Sequence, residues 1–164
     1  MDAPSRKHPR WSFRCVDAQR VFEAVRAIAD TGFLVAFVRR ADMHHDWAVK
    51  LAEQVTDPVL TCEAVLAETA FHLQSSETVL ALVREGFVSV SFTCAEHLEH
   101  LASLARRFAD RQPDLADLCL IRMSELYPRH AIITVDREDF EIYRRNKHDR
   151  IPFIAPPSIE VGRV

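Results

Sequence analysis

Hydrophobic and polar positions along this chain switch between two periods. Short apolar runs occur at Val25-Arg26-Ala27-Ile28-Ala29, Val59-Leu60-Thr61 and Ala131-Ile132-Ile133-Thr134-Val135. They are too short for helices, and each predicts a buried strand. Phe87-Val88-Ser89-Val90-Ser91-Phe92 alternates with period two and predicts another. Between these runs the spacing is helical. It predicts one helix through Phe33, Leu34, Phe37 and Val38, a second from about Met43 to Val55, and a third around Ala64–Phe71. A fourth spans Ser76–Glu85 with Gly86 as its C-cap, where glycine readily takes the left-handed conformation. Leu98, Leu101, Leu104, Ala105 and Phe108 define a fifth, and Asp114–Leu126, reset by Pro113, a sixth. Phe140–Arg145 predicts a last helical turn or two, Ile151-Pro152-Phe153 a short edge strand, and Ala18–Ala24 a helical lead-in.

Strands separated by helices imply an α/β domain with a central, mainly parallel sheet of four to five strands and helices on both faces. At 164 residues one core is expected. The expected organisation is an N-terminal extension over residues 1–24, partly flexible or helical, one domain over 25–155 and a C-terminal tail over 156–164. No internal repeat or low-complexity segment is visible.

Composition narrows the function. A net charge of -3 argues against a general DNA-coating protein. Three glycines, Gly32, Gly86 and Gly162, exclude a dinucleotide fingerprint and a P-loop. Cys15, Cys62, Cys94 and Cys119 show no C-x-x-C spacing and are expected to be reduced thiols of a cytoplasmic protein. No stretch approaches the length of a membrane span, so no membrane partner is expected.

Four acids stand against apolar runs. Asp30 and Asp136 close the first and last main strands, Glu68 lies inside Ala64–Phe71, where its helical neighbours Ala64, Val65 and Phe71 predict an apolar face, and Asp117 opens Leu118-Cys119-Leu120-Ile121 one turn after Asp114. Ligands of parallel sheets gather at the carboxyl ends of the strands, so these acids are expected to converge. Taken singly, Asp30 and Asp117 would be helix caps. Taken together they would repel, by roughly 3 kcal/mol for two carboxylates at about 5 Å. A hard divalent cation with oxygen ligands, Mg²⁺ or Mn²⁺, removes that repulsion and suits phosphodiester hydrolysis. Thr31 and Thr134, beside the strand-end acids, could hydrogen-bond a carboxylate or a bound water.

The ordered segments Ala29-Asp30-Thr31-Gly32-Phe33-Leu34-Val35-Ala36, Leu66-Ala67-Glu68-Thr69, Asp114-Leu115-Ala116-Asp117 and Ile133-Thr134-Val135-Asp136-Arg137-Glu138-Asp139-Phe140, with His44-His45-Asp46-Trp47-Ala48 after Asp42, resemble the PIN-domain ribonucleases, in particular VapC-type toxins of bacterial toxin–antitoxin pairs. The likeness runs from about Ala27 to Phe153. It implies a PIN-like fold with Asp30, Glu68, Asp117 and Asp136 as catalytic metal-binding acids and Asp114 as an additional metal contact. It further implies Mg²⁺ or Mn²⁺ as cofactor, RNA as substrate, a homodimer, and an antitoxin partner that covers the site. The extension before Ala24 departs from members that begin with the first strand.

Arg137, Arg39, Arg40 and His44 are the candidates for substrate contact; most other cations, including Arg106, Arg107, Arg111, Arg144, Arg145, Lys147 and Arg150, are expected on solvated faces or at helix C-termini. His97 and His100 lack further ligands at zinc spacing and are expected on a solvated face. Competing readings are a housekeeping RNA-processing nuclease without an antitoxin, and a catalytically silent binding module of the same fold.

Overall fold

The computed structural model describes residues 25–157. Within them the chain runs β1 (Ala27–Ala29), α1 (Thr31–Val38), α2 (His45–Ala52), β2 (Val59–Thr61), α3 (Glu63–Leu73), α4 (Ser76–Arg84), β3 (Val88–Val90), a 3₁₀ turn (Cys94–His97), α5 (Leu98–Arg107), α6 (Leu115–Leu126), β4 (Ala131–Ile133), α7 (Arg137–Ile142), β5 (Arg144–Arg145), β6 (Asp149–Arg150) and β7 (Phe153–Ile154). The expected helix over Ala18–Ala24, the extension over residues 1–24 and most of the expected tail lie outside the described residues.

Five strands form one sheet in the order β3-β2-β1-β4-β7, and every neighbouring pair is parallel. The α/β class expected from the sequence is therefore the observed one. The chain steps outward from β1 to β2 to β3, then returns across β1 to lay down β4 and β7. The reversal falls between β1 and β4, which places the crevice of an open α/β sheet beyond the carboxyl ends of those two strands. Asp30 follows β1 there, and Asp136 follows β4 by three residues.

The core explains why the helices sit where they do. α1 is apolar all round, and Phe33, Leu34, Ala36 and Phe37 are buried. α6 buries Leu118, Cys119, Leu120, Ile121 and Met123, so it runs through the domain as a central helix. Aromatic contacts continue the core outward: Phe33 meets Trp47 edge-on at 6.1 Å between ring centroids, and Phe37 stacks on Phe87 at 4.4 Å. Cys62, Cys94 and Cys119 are free thiols, and the Cys94 and Cys119 sulfurs lie 3.3 Å apart.

Several expected boundaries move. The helix expected from about Met43 to Val55 is shorter, His45–Ala52, and the strand expected over Phe87–Phe92 reduces to Val88–Val90. The helical turn expected over Phe140–Arg145 is displaced: α7 starts at Arg137, because Asp136 caps it, and ends at Ile142. Arg144 and Arg145 pair instead with Arg150 and Asp149 in a separate antiparallel ribbon. The edge strand shifts to Phe153–Ile154, pairing with Ile132 and Ile133, since Pro152 has no amide to give the ladder.

Candidate active site

At the head of β1 and β4 the backbone brings two acid-bearing loops into register. Asp30 N–H donates to the Ile133 carbonyl at 3.0 Å, so the residue after β1 is tied to the end of β4. Gly32, in the first turn of α1, lies against the Val135 side chain so closely that a β-carbon there would collide with it. Side chains then stitch the acids together. Asp30 caps α1, accepting from Thr31 N–H at 2.6 Å, and its other oxygen accepts from the Thr134 hydroxyl at 2.6 Å. That hydroxyl in turn accepts from Asp136 N–H at 2.9 Å. The Thr31 hydroxyl donates to Glu68 at 2.8 Å, linking α1 to the second turn of α3. One face of Glu68's helix is less apolar than its spacing implied. Val65 is buried, but Phe71 is 78% exposed.

α6 delivers the remaining acids. Asp114 is its N-cap, accepting from Asp117 N–H at 2.8 Å; the cap is therefore Asp114, not Asp117. Asp117 faces inward and accepts from the buried Tyr143 hydroxyl at 3.1 Å. Tyr143 is held by Phe108 and Phe140, with ring centroids at 5.1 and 5.8 Å.

The acids feel one another. Burial, opposed by the hydrogen bonds from Thr134 and Thr31 and reinforced by the charges of Glu68 and Asp114, pushes Asp30 up to about 6. Burial, then Asp114, then Asp30 and Asp139 push Asp117 up to about 7 against the Tyr143 hydrogen bond. Burial and Asp136 raise Asp139; burial and Asp117 raise the Tyr143 hydroxyl well above its ordinary range. A carboxyl half-protonated near neutrality marks a site poised for a further positive charge.

The PIN domain family model matches residues 27–146. The chain belongs to the PIN domain family. PIN domains are generally nucleases and typically use divalent metal ions. A search of curated proteins finds no significant match.

In this PIN domain the groups around the crevice are carboxylate and hydroxyl oxygens, the chemistry of a hard cation, with the His72 imidazole 3.7 Å from Glu68. Among the described residues no three His, Cys, Asp or Glu side chains are already clasped around one point: Asp114 and Asp136 are engaged as helix caps, and threonine hydroxyls stand between the others. Mg²⁺ keeps several waters and takes one or two carboxylates, so the residues fit such an ion. Asp136 is the outlying acid. It is exposed, its side chain accepts from Asp139 N–H at 3.3 Å, and its charge reaches the group through Asp139.

The candidate substrate contacts are dispersed. Arg137 lies 3.7 Å from Glu141, donates to the Pro156 carbonyl at 3.3 Å and covers the Phe153 ring, so it braces α7 against β7. Arg39 donates to the His72 carbonyl. Arg40 is exposed between α1 and α2, and His44 precedes α2 with its amide on Asp42. Arg144 donates to the Glu141, Ile142 and Tyr143 carbonyls, completing the end of α7. His97 stacks on Phe92 at 4.8 Å and His100 pairs with Glu125 at 2.8 Å, so neither is the plain solvated residue expected. Sequence reasoning missed Asp139 and Tyr143. Asp139 stands three residues after Asp136, the spacing that also relates Asp114 to Asp117, and that repeat was the available signal.

Proposed function

We propose that this PIN domain is a Mg²⁺- or Mn²⁺-dependent endoribonuclease and the toxin of a type II toxin–antitoxin pair. The observation that supports the nuclease reading is the hydrogen-bonded linkage of acids at the strand ends, Glu68 to Thr31, Thr31 to Asp30, Asp30 to Thr134 and Thr134 to Asp136, with burial and neighbouring carboxylates raising Asp30 and Asp117. In this reading Asp30, Glu68, Asp114, Asp117 and Asp136 hold the ion, and Thr31 and Thr134 orient Glu68 and Asp30 towards it. A bound divalent ion supplies charge neutralisation at phosphorus and a lower pKa for the attacking water. The chain's own part is to fix the carboxylates: Thr134 holds one oxygen of Asp30, Thr31 aims one oxygen of Glu68, and Tyr143 holds one oxygen of Asp117. Each of these carboxylates keeps its second oxygen or further lone pairs for a ligand.

The substrate class and partners rest on the resemblance: RNA, a cognate antitoxin that covers the crevice, and a second copy of this chain. Among the described residues no helix is long and apolar enough to cross a membrane, and a cytoplasmic setting belongs to this proposal. The test is cleavage of single-stranded RNA by the purified protein in Mn²⁺, in Mg²⁺ and in EDTA. Cleavage is expected only with metal, and activity that survives EDTA would contradict the reading. Expression should arrest growth. Harmless expression of an enzyme active in vitro would favour the housekeeping nuclease.

A further inference from the structure

A second concave site lies beyond the acid crevice, a surface cavity of about 530 Å³ between α5, α6 and the β5–β6 turn. Its wall carries three cations, Arg107, Arg122 and Lys147, and the imidazoles of His100 and His148, with Glu125 as the acid among them. Glu125 is spoken for. One carboxylate oxygen receives His100 and Arg122, both at 2.8 Å, and the other receives Asn146 N–H at 2.9 Å. Its charge fixes Arg122 in place, and among the described residues no carboxylate forms an ion pair with Arg107 or Lys147. Arg122 lines the cavity with its guanidinium anchored by Glu125, and its Nε, buried beneath that surface, has no hydrogen-bond partner among the described residues. The rim is also held in an uncommon shape. Asn146 and Lys147 have φ of 48° and 72°, left-handed values that a lysine rarely adopts, and Arg107 donates to the Lys147 carbonyl.

Two elements join this cavity to the acids. Arg122 follows Asp117 by five residues on α6, about 8 Å along the axis at 1.5 Å per residue. The ribbon that rims the cavity begins immediately after Tyr143, whose hydroxyl holds Asp117. Five residues also turn α6 by about 140°, so a polyanion that reaches both places follows the ribbon round the helix.

We propose that this cavity binds a phosphate of single-stranded RNA adjoining the segment held in the acid crevice, with Arg122, Arg107 and Lys147 as its ligands. The proposal rests on the ribonuclease reading and names a substrate subsite for it. A phosphate entering the cavity gains the charge of Arg122 and two further cations, while Glu125 keeps that arginine oriented rather than competing for the strand.

The test measures binding, not turnover: fluorescence anisotropy of a short labelled single-stranded RNA with the full chain in EDTA, across a salt series. Lys147→Gly removes a cation and suits the left-handed backbone, so it retains the fold. Arg107→Gln removes the second cation, and the double variant Arg122→Met/Glu125→Gln removes the buried pair together so that no charge is left unpaired. Each is expected to weaken RNA binding about fivefold to tenfold and to flatten the logarithmic salt slope by about 0.7 for every phosphate no longer neutralised. Unchanged affinity and slope in all three folded variants would overturn the proposal. So would unchanged RNA binding alongside lost binding of a poly-glutamate peptide, which would make the cavity a docking site for an acidic protein segment. Cleavage by the wild-type chain in Mn²⁺, run in parallel, separates the two readings: cleavage with indifferent variants rejects the cavity alone, and RNA binding that needs the cavity without cleavage rejects the nuclease alone.

Discussion

Asp117 shows most clearly what the site costs. Its carboxyl is pushed to about 7 first by burial and then by Asp114, so above neutral pH it carries its charge against both desolvation and repulsion. Asp117→Asn keeps the acceptor for Tyr143 and removes the charge. Without metal it should stabilise the fold at pH 7.5 by about 1 kcal/mol, while RNA cleavage falls about 100-fold or more; denaturant melts and initial rates measure the two. Tyr143→Phe makes a different prediction. It frees Asp117 without altering the acid set, so cleavage and metal affinity should drop about tenfold with about 1 kcal/mol of stability lost. The candidates Asp30, Glu68, Asp117 and Asp136 stood out in the sequence because each interrupts or closes an apolar run. Asp139 was not, because it lies in a charged stretch, Asp136-Arg137-Glu138-Asp139, where nothing in the pattern separates an acid that faces the site from one that faces water.

The elements divide by what defines them. Strands and helices set by apolar periodicity fell close to where the pattern put them, as β2 and α6 did, since burial of alternate or helically spaced residues is their main stabilisation. The ribbon of Arg144–Arg145 and Asp149–Arg150 was not legible, because it has no apolar period and depends on long-range bonds: Arg145 to the Ser124 and Pro128 carbonyls, and Asn146 N–H to Glu125. Two glycines carry element-level predictions. Gly32→Ala should cost about 1–3 kcal/mol by forcing α1 away from Val135, and it should impair cleavage beyond that loss by shifting Asp30. Gly86, at φ 77° with open space around it, closes α4. Gly86→Ala should cost about 1 kcal/mol through the backbone alone and leave cleavage per folded molecule unchanged. Melting curves paired with rates normalised to folded protein distinguish the two.

For the whole molecule the acids make stability depend on pH and on metal together. Asp30 and Asp117 have folded-state values raised above the ordinary 3.8. The folded state therefore binds more protons than the unfolded chain over that interval, and metal-free stability falls as pH rises from about 4 through about 6 and 7. A divalent cation should reverse the fall, since it binds the charged form, so stabilisation by Mn²⁺ should be larger at pH 7.5 than at pH 5.5. The convergence of the acids follows from the sheet's reversal between β1 and β4, a consequence of strand order that no local pattern states. The cation proposed to sit among them is best tested by titrating Mn²⁺ into the metal-free protein at pH 7.5 and pH 5.5, alongside Asp117→Asn, with free Mn²⁺ counted by its electron paramagnetic resonance. The account predicts binding at pH 7.5 that weakens about tenfold or more at pH 5.5 and in Asp117→Asn. Equal affinity in wild type and variant, or no binding at pH 7.5, would contradict it.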